Sequence, residues 1–238
     1  MHWLADIRSL KQVREVRMLA PLALVAGLLT VFFKLADGIL EGEAFKFDEA
    51  ILLAFRSANP EDPIGPAWFE GLMLDLTALG GYAVLSLFCA IAVGYLLIQG
   101  LRASAALVVI SGLGGTALNN LLKWGFDRPR PDVVAHLTEV STLSFPSGHA
   151  MLSAIIYLTL GALLARSQKS RRLKVYILSV SILLTMLVGS TRVYLGVHWP
   201  TDILAGWCLG GAWAMLCLFT VRRLARTQKA AEAPVSHI

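Results

Sequence analysis

The sequence predicts an all-α polytopic membrane protein with six transmembrane helices and short interfacial helices in the first outward loop. Three observations carry this prediction. The 238-residue chain is 56% hydrophobic and only 16% charged, against about 45–50% and about 25% in soluble domains. The apolar excess is gathered in runs at 18–36, 82–100, 103–122, 149–165, 173–191 and 202–221, each near the roughly 20 residues that carry a helix across a bilayer. Lastly, the basic residues divide unevenly between the two sides that six spans create. The runs read as one membrane-embedded domain, 1–238.

The first run follows a basic flank of Arg8, Lys11, Arg14 and Arg17. It is longer than the roughly 7–15 residues of a signal core and has no small-x-small cleavage site, so it reads as a retained helix. Lys34 near its far end can snorkel to the interface. The loop at 37–81 is too long for a bare connector. Its stretch "FDEAILLAFRSANPEDPIGPAWFEGLMLDL" divides at the Asn59–Pro66 breaker cluster. Asp48 can cap a short helix that puts Ile51, Leu52 and Phe55 on one face. A second piece, Trp68 to Leu76, carries a tryptophan suited to the headgroup zone. Both pieces suit the outer leaflet or packing on the span bundle.

Between the second and third spans there is only the region around Gly100–Arg102. Gly112, Gly114 and Gly115 then let neighbouring helices approach closely. The basic connection "RSQKSRRLK" joins the fourth and fifth spans and suits an anionic lipid surface. Cys89, Cys208 and Cys217 fall inside spans as small buried hydrophobes. They offer neither a disulfide framework nor a zinc pattern.

Of the 21 Lys and Arg, 14 fall on the side of the termini. Positive charge in short loops marks the cytoplasmic face, so the tails 1–17 and 224–238 are expected there. The loops at 37–81, 123–148 and 192–201 are expected to face outward. The net charge of +5 is then a topology signal. Nucleic acid is excluded as a partner, because no basic patch carries interleaved stacking aromatics.

Three outward segments concentrate polar residues at span ends: "KWGFDRPRP" at 123–131, "SFPSGH" at 144–149 and "STRVYLGVHWPTD" at 190–202. His149, His198 and most outward basic residues lie at the ends of spans three to six, which can converge on one pocket. His136 stands mid-loop without a partner at a telling spacing. Lys123, Arg130 and Arg192 suit a phosphate, whose oxygens guanidinium forks match. Ser147 and Gly148 add a helix start, with unpaired N–H groups and the positive end of the dipole. Glycine also allows close backbone approach.

His198 and Asp202 are spaced i,i+4, with Pro200 suited to the first helical turn. On one helical face Asp202 could fix the His198 tautomer and leave the other ring nitrogen free to attack. A phosphorus electrophile held by the three cations is its natural target, with His149 as general acid on the leaving-group side. Fixed cations can stabilise phosphoryl transfer without Mg²⁺. The span ends lack the clustered carboxylates of a two-metal site, so no metal and no cofactor is expected.

These residues resemble the type-2 phosphatidic acid phosphatase superfamily. Lys123, six residues and Arg130-Pro131 are similar to its first signature; "PSGH" at 146–149 to its second; and Arg192, five residues, His198, three residues and Asp202 to its third. The resemblance implies a covalent phosphohistidine on His198, His149 as proton donor to the leaving group, and Asp202 orienting His198. It implies that Lys123, Arg130, Arg192, Ser147 and Gly148 cradle the phosphoryl oxygens. The third signature usually opens Ser-Arg, whereas this chain has Thr191-Arg192; threonine keeps the hydroxyl, so Thr191 joins the expected phosphate site. Arg128 also precedes a proline, but spacing from Lys123 favours Arg130. Asp127 and Arg128 are expected to pair at the surface.

Soluble vanadate-dependent haloperoxidases share the resembled cradle, but six spans point to a lipid phosphate in the bilayer. The implied activity is metal-independent hydrolysis, in a bacterial inner membrane with a periplasmic site. Undecaprenyl diphosphate is the foremost candidate substrate, beside phosphatidic acid and phosphatidylglycerol phosphate. Lipid A dephosphorylation and phosphoryl transfer to a second lipid stay open, as does a non-enzymatic anion or lipid transporter. A transporter, however, has no need of His198 and Asp202 at nucleophile–orienter spacing. The sequence leaves the oligomeric state open.

Overall fold

A computed structural model describes residues 2–42 and 46–231, with side chains from 19 to 42 and from 46 to 221. The described chain is built from eight helices: α1 (His2–Leu40), α2 (Lys46–Ala54), α3 (Ala67–Ala78), α4 (Tyr82–Ile98), α5 (Arg102–Phe126), α6 (Gly148–Ser167), α7 (Arg171–Tyr194) and α8 (Pro200–Ala231). Five contain segments long and apolar enough to cross a membrane: Leu19–Leu40, α5, α6, α7 and Pro200–Val221. The helices α3 and α4, bent by 45° at their break, reach that length and hydropathy when taken together. Five of the six expected spans are single helices here; the second, expected at 82–100, corresponds to α4 (Tyr82–Ile98), which reaches spanning length only together with α3. The tail expected beyond 224 is helical to Ala231; residues 232–238, with His237, and the side chains of 1–18 lie outside the description.

At the centre stands α6. It buries 61% of its most apolar window, against 22% for α7, and packs on α5, α7 and α8. A helix apolar all round belongs inside such a bundle. Its approach to α8 uses Gly206 and Gly210, four residues apart: a Cβ on Gly210 would lie 2.5 Å from the Met151 carbonyl oxygen. This is the small-residue contact by which membrane helices close on each other. On α5, Gly114 and Gly115 likewise admit Trp213 and Ile155. Outward faces carry Leu87, Ile91 and Ile98 of α4 and Leu183 of α7, all exposed, as a lipid-facing surface requires.

Helix direction alternates, so the C-terminal ends of α5 and α7 and the N-terminal ends of α6 and α8 share one end of the bundle. The 127–147 connection crosses that end. Phe145 pins it there, fully buried, with ring centroids 4.8 Å from Phe126 and 5.9 Å from Phe32. Such aromatic pairs contribute about 0.5–1.5 kcal/mol each beyond area burial.

Of the two arrangements open for the first outward loop, packing on the bundle describes α2. Its Leu52 is fully buried and Asp48 is 2% exposed. Trp68 on α3 is 69% exposed, while Thr77 at the other end of that helix is buried against α7. Beyond α2, Arg56 turns inward and donates to the carbonyls of Tyr194 at 2.9 Å and Ala135 at 3.2 Å. It thereby ties the first loop to the end of α7.

Candidate active site

The shared end of the bundle collects residues from five helices and the 127–147 loop. Lys123 occupies the last turn of α5 and is 7% exposed; its Nζ donates to the Leu143 carbonyl. Beyond α5 the chain turns at Asp127, which adopts a left-handed conformation at φ 46°, and this sends Arg130 back over the site. The Arg130 guanidinium is held by the 127–147 loop and the α7–α8 connection. Nε donates to the Thr142 carbonyl at 2.7 Å, Nη2 to Thr142 Oγ1 at 3.2 Å and Nη1 to the Val197 carbonyl. The same Nη1 lies 3.3 Å from His198 Nε2.

Arg192, in the last turn of α7, is 4% exposed and donates from Nη1 to Thr77 Oγ1 at 3.1 Å. Its Nε and the Ser147 hydroxyl are buried and have no hydrogen-bond partner among the described residues. A buried donor left unpaired costs about 1–3 kcal/mol, so both are donors that an anion would satisfy. Ser147 is the N-cap of α6, and its own N–H donates to the Asp202 carbonyl at 3.1 Å. The α6 start is thereby fastened to the α8 start.

His198 is 2% exposed, just before α8. Its Nδ1 lies 3.3 Å from Asp202 Oδ2 and 3.3 Å from Ser144 Oγ. A carboxylate beside Nδ1 and a guanidinium beside Nε2 favour the tautomer protonated at Nδ1. Burial is the main influence holding the imidazole well below the ordinary histidine range, followed by the positive charges of Arg130, Arg192 and Lys123 and by His149. Neutral His198 therefore carries a lone pair on Nε2 at neutral pH. Arg130 is also lowered, through burial, with Asp202 opposing the shift.

Asp202 is fully buried and multiply held. Oδ2 accepts from Ser144 Oγ at 2.5 Å and from the Trp199 N–H at 3.0 Å. Oδ1 accepts from Arg128 Nη1 at 2.6 Å. Its bond to Trp199 is a helix cap: an acid in the first turn reaches back to the N–H of the residue before the helix. Orienting His198 and starting α8 are thus done by one carboxylate.

His149 opens α6, half-buried, within electrostatic range of Arg192, Arg130 and Lys123. Its ring makes no hydrogen bond among the described residues. Room for it depends on Gly80 at the α3–α4 break, where a Cβ would stand 3.2 Å from His149 Cδ2 and 2.2 Å from Val188 Cγ1. Tyr157 holds that break by donating to the Leu79 carbonyl at 2.7 Å.

Eight of the nine sequence-predicted site residues come together at this end: Lys123, Arg130, Ser147, Gly148, His149, Arg192, His198 and Asp202. Thr191 does not join them through its hydroxyl, which donates to the Val188 carbonyl at 2.6 Å within α7. The expected surface pairing of Asp127 with Arg128 is also corrected. Arg128 is 12% exposed and bridges Asp202 at 2.6 Å and Asp48 at 3.0 Å, because the left-handed turn at Asp127 directs the following chain inward. His136 lies apart, its Nε2 2.6 Å from the Pro131 carbonyl.

Sequence reasoning passed over Asn119, one helical turn before Lys123 and fully buried. Its Nδ2 reaches the Pro146 carbonyl at 3.4 Å, while Oδ1 would lie 3.1 Å from a Cβ on Gly148. Gly148 therefore lacks a side chain partly because Asn119 fills the space. An asparagine pair in the apolar run of α5 was the available signal. Among the described residues, no three His, Cys, Asp or Glu group as a metal site.

Fold and site define a helical membrane protein with a cluster of cationic side chains around a buried histidine–carboxylate pair. The PAP2 superfamily model matches residues 85–226, and the chain belongs to the PAP2 superfamily. Phosphatidylglycerophosphatase B of Bacillus subtilis (strain 168) is 34% identical over 160 residues, 65% of this chain and 74% of that protein. An undecaprenyl-diphosphatase of Sulfolobus acidocaldarius is 30% identical over 149 residues, 60% of this chain and 66% of that protein. The crystal structure of a transmembrane PAP2 type phosphatidylglycerolphosphate phosphatase from Bacillus subtilis superimposes with a TM-score of 0.72 at 29% identity, covering 85% of this chain and 96% of that one. The chain is thus a multi-pass member of a family of membrane lipid phosphatases.

Proposed function

We propose that the protein hydrolyses lipid phosphates through a phosphohistidine at His198, without a metal ion. The observation carrying this reading is the environment of the His198 ring: carboxylate and hydroxyl at Nδ1, guanidinium at Nε2. The Nε2 lone pair attacks phosphorus, an N–P bond forms and the P–O bond to the lipid breaks. His149 gives its proton to the departing oxygen. A water then attacks phosphorus as His149 takes its proton back, the N–P bond breaks and inorganic phosphate leaves. Lys123, Arg130, Arg192 and the Ser147–Gly148 helix start stabilise charge on the phosphoryl oxygens. Asp202 balances the imidazolium that His198 becomes.

Undecaprenyl diphosphate is the substrate this reading puts first, with phosphatidic acid and phosphatidylglycerol phosphate beside it; the names of the relatives support the first and the last of these. The excess of basic residues at the opposite end of the bundle supports a site on the periplasmic face of a bacterial inner membrane, with both termini cytoplasmic. The test is phosphate release by purified protein in detergent, with EDTA, across this lipid panel. Release from at least one lipid, and its loss in His198→Ala, is expected. No release from any of them, or full activity in His198→Ala, refutes the reading; lipid-to-lipid transfer without free phosphate reassigns the enzyme as a phosphotransferase.

A further inference from the structure

We propose that Asp48, acting through Arg128, is a positioning residue for the His198–Asp202 pair, making the short helix α2 a working part of the active site. The inference rests on the reading of His198 as nucleophile. It starts from a carboxylate in the first outward loop that is almost wholly buried, where an uncompensated charge is costly.

Both oxygens of Asp48 are committed. Oδ1 accepts from the Thr201 N–H at 2.8 Å. Oδ2 accepts from Thr201 Oγ1 at 2.5 Å and from Arg128 Nη2 at 3.0 Å. Thr201 is the second residue of α8, where a backbone N–H has no partner within the helix. Asp48 supplies that partner from 153 residues away. The next residue is Asp202, so a cap placed on Thr201 fixes the peptide that carries the orienting carboxylate.

Arg128 completes the link. Its Nη1 donates to Asp202 Oδ1 at 2.6 Å and to Thr201 Oγ1 at 2.7 Å, while Nη2 serves Asp48. The Trp199 ring lies under the guanidinium, 5.5 Å from Cζ, a cation–π contact. The result is a line of alternating charge: Asp48, Arg128, Asp202, His198.

The order of charges gives Asp48 its effect. Alone with Asp202, Arg128 would neutralise the carboxylate that His198 needs as its ring becomes cationic. Asp48 shares the guanidinium and leaves negative charge on Asp202 facing Nδ1. Removing it should therefore slow the chemical step and leave substrate binding alone, because neither Asp48 nor Arg128 is part of the phosphate cradle.

The experiment uses full-length protein in detergent and short-chain phosphatidic acid, reading kcat, KM and the melting temperature. Asp48→Asn is expected to lower kcat by about tenfold or more with KM within about twofold, and in an Asp202→Asn background to cost less than about threefold, because residues acting as a unit are non-additive. A purely structural role would give the same fractional loss in both backgrounds, and that result overturns the proposal, as does a change in KM alone. Should Asp48→Asn fail to fold, Arg128→Lys serves instead, keeping the charge but losing the fork; the same kcat loss and the same collapse beside Asp202→Asn are expected, and additivity again overturns it. If Asp202→Asn alone leaves kcat intact, the nucleophile reading has failed. If Asp202→Asn is impaired and Asp48→Asn is not, only the role of Asp48 has.

Discussion

Arg130 directs Nη1 at His198 Nε2 from 3.3 Å while the same nitrogen donates to the Val197 carbonyl one residue earlier. The arginine is thus held by the segment whose histidine it faces, and its position does not depend on substrate. Arg130→Lys keeps a charge but loses the fork anchored on Thr142 and Val197. Steady-state kinetics should show kcat reduced by about a hundredfold, the scale seen when one preorganised donor is removed from a charge-stabilising site. A loss below threefold would detach Arg130 from the reacting phosphate.

The acid side of the pH profile follows from the depressed His198. On the proposed mechanism, attack requires the neutral ring, which persists below the usual histidine value of about 6.5. The rate of phosphoenzyme formation should therefore hold as pH falls through that value and decline only at lower pH. Arg130→Gln removes one of the cations depressing the ring and should move this limb upward. The stability sign is set by the same group: its folded pKa lies under its unfolded one, so the unfolded chain binds the extra proton. Stability contributed by neutral burial is present above about 6.5 and is lost as pH falls below it.

Gly148 and Asn119 form a pair that can be tested by stability instead of rate. A Cβ on Gly148 would press on Asn119 Oδ1 at 3.1 Å. If Asn119, held on the Pro146 carbonyl, does not give way, thermal unfolding of Gly148→Ala should show destabilisation of about 1 kcal/mol, the low end of an overpacking cost. Adding Asn119→Ala should recover part of that loss. If the double variant is less stable than the sum of the singles, the two residues do not compete for this space.

Thr191 gives a prediction of little effect. Because its hydroxyl donates to Val188 within α7, Thr191→Val should retain kcat/KM within about threefold, the limit expected where no transition-state contact is lost. A hundredfold loss would return that hydroxyl to the phosphate.

The six spans were legible because bilayer thickness imposes a run length that composition alone reveals. The convergence of Lys123, Arg130, Ser147, His149, Arg192, His198 and Asp202 was legible because each sits at the end of an apolar run or in the short polar stretch beside it. Asp48 was not. A carboxylate at the start of a nine-residue amphipathic helix reads as that helix's own cap, and its partner Thr201 lies far along the chain. Arg128 was misread for a related reason: neighbouring opposite charges suggest a local pair, and the left-handed turn that separates them has no signature in "FDRP". Gly80 falls in the stretch read as an outward loop, and the room it leaves for His149 exists only after α3 and α4 fold around α6.

The bond from Asp48 to Thr201 also sets an order of events in the life of the chain. During synthesis the carboxylate emerges first and waits through four further spans before the peptide it caps is made. Until α8 is made, Arg128 has only Asp48 of its two carboxylate partners, and His198 lacks Asp202. A chain that stops short of α8 carries Lys123, Arg130 and Arg192 but lacks the carboxylate beside His198 and the Asp202 carbonyl that fastens Ser147. On the proposed mechanism, the histidine–carboxylate pair is completed only with the last helix.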